Sequence, residues 1–257
     1  MCDTGRDKDV GTGRPGKQAP RARTFTESND EQSMKEETMT EREFILTTGE
    51  RIPVGTMYCI GRNYAAHARE MNAPLPEAPL VFIKPPNAYV ADGSILHLPT
   101  FSGNVHHEVE LVVVIGSDTD GCTPEEAQAH IAGYAVGVDL TLRDIQSAAK
   151  AKGEPWSVSK SFRGSAPISS VVPVGLVSDP ADLELDLTVN GISRQHGRVA
   201  TMERSVGELV AYVAGVFGLR RGDCIFTGTP EGVAKIDSGD SIDARLVGYV
   251  TLHLHVA

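Results

Sequence analysis

Aromatic residues are scarce in this chain, 5% of 257 residues with a single tryptophan, and long apolar runs are absent altogether. Segments such as 111–115 fall far short of the ~20 residues a helix needs to cross a bilayer, and the N-terminus lacks the apolar centre of a signal peptide. These absences argue against a membrane span and a secreted protein, and for a soluble, cytoplasmic one. Positive charge is also in deficit, with 24 Lys and Arg against 34 Asp and Glu and a formal net charge of -10. Binding to a phosphate backbone rests on clustered cations, so a nucleic-acid partner is not expected. The 4 cysteines, Cys2, Cys59, Cys122 and Cys224, form no CxxC pair, which excludes the common zinc and disulfide frameworks and fits reduced thiols in a cytosol.

What is present divides into a tail and a body. Residues 1–40 are rich in Gly, Pro, Thr and charge, carry almost no large apolar side chain and are expected to be a disordered tail, with Met34 or Met39 as alternative starts. From residue 41 to 257, strand-like runs recur between Pro and Gly punctuation: REFIL, MYCIG, LVFIKP, SILHLP, VELVVVIG, GYAVGVDL, VSKSF, ISSVVPV, LELDLTVNGI, DCIFTGTP, DSIDARLVG and VTLHLHV. Helical spacing is confined to 64–71, with Asn63 as its cap, 124–131, 142–152 and 206–217. LTVNGISRQ carries the Asn-Gly pair of a type I′ hairpin. The body is expected to be one strand-rich α+β domain.

The chemistry concentrates in a few segments. In HHEVELVVVIG, residues 106–116, strand alternation puts Glu108, Glu110, Val112 and Val114 on one face and Val109, Leu111, Val113 and Ile115 on the other. Two carboxylates side by side demand a cation, a raised pKa or open water, and these residues alone leave the choice open. In GYAVGVDL, Gly133, Ala135 and Gly137 share a face with Asp139, so small residues clear space beside a third carboxylate. Three hard oxygen ligands suit Mg²⁺, with Mn²⁺ admissible, better than zinc. His106 and His107 do not make an HExxH zinc motif, because Leu111 stands where its second histidine belongs.

In GRNYAAHAREMN, His67 and Glu70 lie i,i+3 on one helical face, close enough for the carboxylate to orient the imidazole as a base, or simply two solvated groups. Arg143 and Gln146 repeat that spacing, where guanidinium and amide suit a substrate carboxylate. Lys160, in the strand-like SVSKSF, is either a charge aimed at a developing oxyanion or an exposed strand lysine. FTGTPEG, residues 226–232, is a turn whose hydroxyls and amides suit an anion but lacks the GxxxxGK of a nucleotide loop.

Taken in order, YCIGRNYAAHAREM, PLVFIKPPNAYV, NVHHEVELVVVIG, GYAVGVDLTLRDIQ, PWSVSKSF and FTGTPEGV resemble the fumarylacetoacetate hydrolase family, particularly its acylpyruvase and oxaloacetate decarboxylase branch, over residues 44–257. The resemblance implies a mixed β-roll of the family's C-terminal catalytic type with short peripheral helices, and a homodimer. It implies metal ligation by Glu108, Glu110 and Asp139, and a lid dyad of His67 and Glu70. It further implies substrate or oxyanion contacts from Arg143, Gln146, Lys160 and Thr229, with Arg62 and Lys84 as candidates for selecting the substrate. Two departures stand out: Gly232-Val-Ala-Lys235 replaces the common GVGP continuation, and Arg198-Val-Ala-Thr201-Met202 replaces a threonine-rich segment.

The expected activity is metal-dependent hydrolysis of a C–C bond in a 2,4-diketo acid such as acetylpyruvate or fumarylpyruvate, releasing pyruvate. In that scheme His67, aided by Glu70, takes a proton from water and Lys160 holds the oxyanion. The alternative is oxaloacetate decarboxylation or keto–enol tautomerisation at the same site. A metal-binding scaffold without catalysis is the remaining class.

Overall fold

Alternation along residues 109–115 builds the centre of the molecule. A computed structural model describes residues 42–257, and the tail expected over 1–40 lies outside the described residues. The strand Val109–Ile115 is buried along its whole length. Val109, Leu111, Val113 and Ile115 enter one apolar cluster, and Val112 and Val114 enter another. A period-2 sequence apolar on both faces is what a central strand covered on both sides requires.

Around it runs an eight-stranded mixed sheet. Val109–Ile115 pairs antiparallel with Ile131–Val138 on one side and Cys224–Phe226 on the other, and Cys224–Phe226 pairs parallel with Met57–Gly61. A second sheet of five strands includes Glu184–Val189, Ser241–Leu246 and Val250–Val256, whose Leu185, Leu187, Ile242, Ala244, Leu252 and Leu254 meet the first sheet through the larger cluster. The Asn190-Gly191 turn has φ 52 and 74, both positive as a type I′ hairpin requires, and joins Glu184–Val189 to Ile192–Arg198. The architecture is thus the strand-rich α+β roll anticipated from the sequence.

Helices are short and peripheral: α1 (Ala65–Glu70), α2 (Arg143–Lys152), α3 (Ser157–Lys160) and α4 (Val206–Phe217). α4 keeps the bounds its apolar spacing predicts and starts on a capping box, with the Ser205 side chain accepting from Glu208 N–H and the Glu208 side chain from Ser205 N–H. Among the described residues no helix is long and apolar enough to cross a membrane.

Three local expectations need correction. VSKSF alternates like a strand, yet Ser159 and Lys160 donate backbone N–H bonds to the Trp156 carbonyl and close the single turn α3. Alternation over so few residues cannot outweigh tertiary placement. The segment 124–131 forms no α-helix: it holds the 3₁₀ turn Ala127–His130 and ends on the first residue of the strand Ile131–Val138. Asn63 does not cap α1: its N-cap is Tyr64, and the Asn63 amide donates instead to the Arg204 and Thr227 carbonyls.

Candidate active site

The three acidic residues singled out by strand alternation converge. Glu108 lies in the break between Val105–His107 and Val109–Ile115, and its carbonyl accepts the Asp139 N–H at 2.8 Å, so the backbone itself ties these two residues together. Glu110 lies opposite Gly137, two residues before Asp139. A Cβ on Gly137 would stand 2.7 Å from both Phe226 and Val112, so glycine here lets the two strands and the ring close up beneath the acids. Glu108, Glu110 and Asp139 are all buried and offer oxygens within 4.8 Å of one another.

Cations surround two of the three. Lys160 Nζ donates to Glu108 Oε2 at 2.6 Å and to Asp139 Oδ2 at 2.5 Å. Lys84 Nζ lies 2.9 Å from Asp139 Oδ1, and Arg143 Nη2 donates to Glu108 Oε1. Burial would raise Glu108, but Lys160 foremost, then Arg143 and His67, hold it far below the ordinary carboxylate range. Burial would likewise lower Lys160, but Asp139 and Glu108 outweigh it and keep the amine protonated, a cation and not a base.

Glu110 differs. Its carboxylate accepts the Gly228 N–H at 2.7 Å and has no ion-pair partner among the described residues. Burial, then the charges of Asp139 and Glu108, push its pKa well above the ordinary value. Neutralisation by a proton or a bound cation is the physical remedy, and three carboxylate oxygens around one point form the donor set of a hard divalent cation. The residues therefore fit a divalent metal.

Above the acids lie α1 and the turn after Cys224–Phe226. His67 is buried and its Nδ1 lies 3.2 Å from Glu70 Oε2, so Nε2 is the ring nitrogen left for the cavity. Glu70 also accepts the Gly232 N–H at 3.2 Å, which fastens α1 to the turn. Gly228, at φ 101, aims its N–H at Glu110, and a Cβ there would come 2.8 Å from Asn63. Gly232, which matches the family's GVGP continuation, thus lies at the dyad, whereas the departures Ala234 and Lys235 pair with His107 and His106.

His67 and the three acids line a cavity that also touches Arg62, Lys150 and Trp156. His67, Glu108, Glu110, Asp139, Arg143, Gln146, Lys160 and Thr229, expected together from the sequence, all border it. Arg143 is engaged, since its Nη1 donates to Gln146 Oε1 at 2.8 Å as well as reaching Glu108, while its buried Nε has no hydrogen-bond partner among the described residues. Arg62 reaches the rim from a left-handed backbone, φ 60, with Nη1 donating to the Pro74 carbonyl.

Lys84 requires correction. Expected among the substrate-selecting residues, it is 0% exposed and lies beneath Asp139, donating to the Lys160 carbonyl and to Ser165 Oγ at 2.9 Å. Its strand, Leu80–Lys84, pairs with the central sheet and puts Lys84 on the inner face that Phe82 shares, so it supports Asp139 and the backbone of Lys160.

Sequence reasoning missed Gln195. Its Oε1 accepts from His107 Nδ1 (2.8 Å) and Val109 N–H (3.0 Å), and its Nε2 donates to Thr229 Oγ1 (2.8 Å) and the Pro230 carbonyl. One buried amide thus locks the entry to the acidic strand against the turn carrying Thr229. Nothing in ISRQHGR signals this role, since its other members are largely exposed. Lys150 and Trp156 were also missed, although Lys150 repeats the face of Arg143 seven residues on.

Comparison with known proteins agrees with this geometry. The family described as fumarylacetoacetate (FAA) hydrolase C-terminal matches residues 56–257. The oxaloacetate tautomerase YcgM of Escherichia coli is 42% identical over 198 residues, covering 77% of this chain and 90% of that protein. The mitochondrial oxaloacetate tautomerase FAHD1 of Bos taurus is 41% identical with the same coverage. The crystal structure of fumarylpyruvate hydrolase from Pseudomonas aeruginosa, in complex with Mn²⁺ and pyruvate, superposes with a TM-score of 0.80 at 40% identity, covering 84% of this chain and 96% of that one.

Proposed function

The chain belongs to the fumarylacetoacetate hydrolase family, and from that premise we propose that it interconverts the keto and enol forms of a 2-oxo acid of the oxaloacetate type. The observation that carries the reading is the buried His67, paired with Glu70 at its outer side and bordering the same cavity as three clustered carboxylates. A divalent ion held by Glu108, Glu110 and Asp139, Mg²⁺ in our reading with Mn²⁺ as the alternative, would supply Lewis acidity toward the carboxylate and keto oxygens of such an acid.

The side chains supply the rest. His67 Nε2 takes a proton from C3, the electron pair moves into the C2–C3 bond, and the C2 oxygen takes the negative charge. Lys160, held protonated, is the nearby cation for that charge, and return of a proton to the oxygen completes the enol. Glu70 steadies the imidazolium formed in between. Arg143 Nε, a buried donor without a partner among the described residues, and the Gln146 amide are the groups left to orient the substrate carboxylate. No water enters the balance.

Hydrolysis of an acylpyruvate is the second reading, favoured by the likeness to the fumarylpyruvate hydrolase. There His67 would take its proton from an attacking water. The test follows enol–keto exchange of oxaloacetate and pyruvate release from acylpyruvates in wild type and His67→Ala. A general base contributes about 10²- to 10⁴-fold, so His67→Ala should lose exchange by that factor with metal affinity unchanged. Full exchange in His67→Ala would remove the dyad from the reaction, and pyruvate release without exchange by wild type would move the chain to the hydrolase reading.

A further inference from the structure

The cavity has a charged mouth that the proposed reaction does not use. Lys150 stands on α2 at i+7 from Arg143 and i+4 from Gln146, so the three share one helical face. Seven residues are about 10 Å along a helix axis, and side chains of a helix lean back toward its N-terminus, which carries the lysine over the cavity that Arg143 and Gln146 border. Lys150 is one of the lining residues and its Nζ lies 5.0 Å from the centre of the Trp156 ring, another.

The charge there is not neutralised. Two residues on, Lys152 pairs with Glu154 at 4.0 Å, whereas among the described residues neither Lys150 nor Arg62 has a carboxylate partner. Partial burial, then the charges of Arg143, Arg62 and Lys160, lower the Lys150 ammonium to about 8; Arg143 and Lys160 are paired with Glu108, which leaves Lys150 and Arg62 as the cations without an anion from the described residues. Like charges gathered at the mouth of a site whose floor is acidic are costly unless an anion joins them.

We propose that Lys150, with Arg62 beside it, is the specificity-determining counter-charge that selects 2-oxo acids bearing a second, distal carboxylate over monocarboxylates of the same length. The inner 2-oxo-carboxylate goes to the Arg143 end of α2, and the outer carboxylate meets Lys150, which its stacking on Trp156 holds in place. This rests on the reading of the site as one for 2-oxo acids and narrows it to dianions.

The test uses a matched pair, 2-oxoglutarate and 2-oxopentanoate, which differ only in a terminal carboxylate against a methyl group. Calorimetric titration of the metal-loaded protein reads binding without turnover. Wild type should bind the dianion at least ~10-fold tighter, since a charge-assisted contact is worth on the order of 1.5–3 kcal/mol. Lys150→Gln should lose that preference while leaving 2-oxopentanoate within about twofold, and Lys150→Arg should restore it. With turnover as readout, Lys150→Gln should raise KM for fumarylpyruvate and spare acetylpyruvate, with kcat unchanged. Equal weakening of both ligands, or no preference in wild type, overturns the proposal and leaves Lys150 a packing partner of Trp156. Failure of the proposed reaction reads differently: wild type would then turn over no 2-oxo acid although the binding preference and its loss in Lys150→Gln persist.

Discussion

The floor of the cavity and its mouth are built on opposite terms. On the floor, Glu108, Glu110 and Asp139 sit in the interior of the central sheet, fixed by backbone pairing and by the buried cations Lys84 and Lys160. At the mouth, Glu70 is exposed, and Arg62 keeps an unusual backbone conformation with one bond to a loop carbonyl. The floor is over-determined, each of its acids being tied down by backbone or by buried cations. The mouth is held by few contacts, which is where a change of substrate costs the fold least.

The largest way to break this contrast is at Glu110, the carboxylate on the floor without a cation. Glu110→Gln removes one of three ligands, and since a bound metal contributes several kcal/mol of charge stabilisation, activity should fall on the order of 10³-fold. Stability should move the other way. The folded pKa of Glu110 is raised, so below the unfolded carboxylate pKa both states are protonated and nothing is lost. As pH climbs from there toward the raised folded pKa, the unfolded chain releases its proton first and metal-free wild type loses stability. Glu110→Gln should abolish that loss, giving a metal-free Tm at neutral pH above that of EDTA-treated wild type, with no further gain on adding Mg²⁺. A lower metal-free Tm for the variant would show that the Gly228 bond outweighs the buried charge.

Lys84 probes the floor from beneath. Removing one partner of a buried ion pair typically costs about 3–5 kcal/mol, so Lys84→Met should destabilise by at least the lower figure in denaturant unfolding. Substitution of Arg62 at the mouth should leave the midpoint nearly unmoved. A Lys84→Met midpoint equal to wild type would mean that Lys160 alone satisfies Asp139.

Lys84 also shows where the sequence stops being readable. Strand alternation in 106–116 and 133–139 put Glu108 with Glu110 and cleared small residues beside Asp139, the Asn190-Gly191 turn announced its hairpin, and α4 announced its apolar spacing, because each is a local pattern. The depth of Lys84 depends on which strand covers Leu80–Lys84, and the helical turn at Lys160 depends on the Trp156 carbonyl, so neither is encoded in nearby spacing. Gln195 is the extreme case, a polar residue in a polar segment whose four partners come from distant parts of the chain. The order of the motifs carried the family, and with it the membership of the site, further than local physics did.

The smallest expected effect sharpens the mouth itself. Glu70 touches both His67 Nδ1 and the Gly232 N–H, so its charge and its hydrogen-bonding geometry are separable. Glu70→Gln keeps an oxygen to accept from Gly232 but withdraws the negative charge that steadies an imidazolium. Partners that orient a functional group are typically worth about 10- to 100-fold, so kcat should fall within that range while metal affinity and Tm stay at wild-type values. If the charge is what matters, the loss falls on kcat, with KM and Tm unmoved. If Glu70→Gln instead lowers Tm with kcat at its wild-type value, the residue serves to fasten α1 to the turn, and the mouth is held together by the same group that the chemistry would otherwise claim.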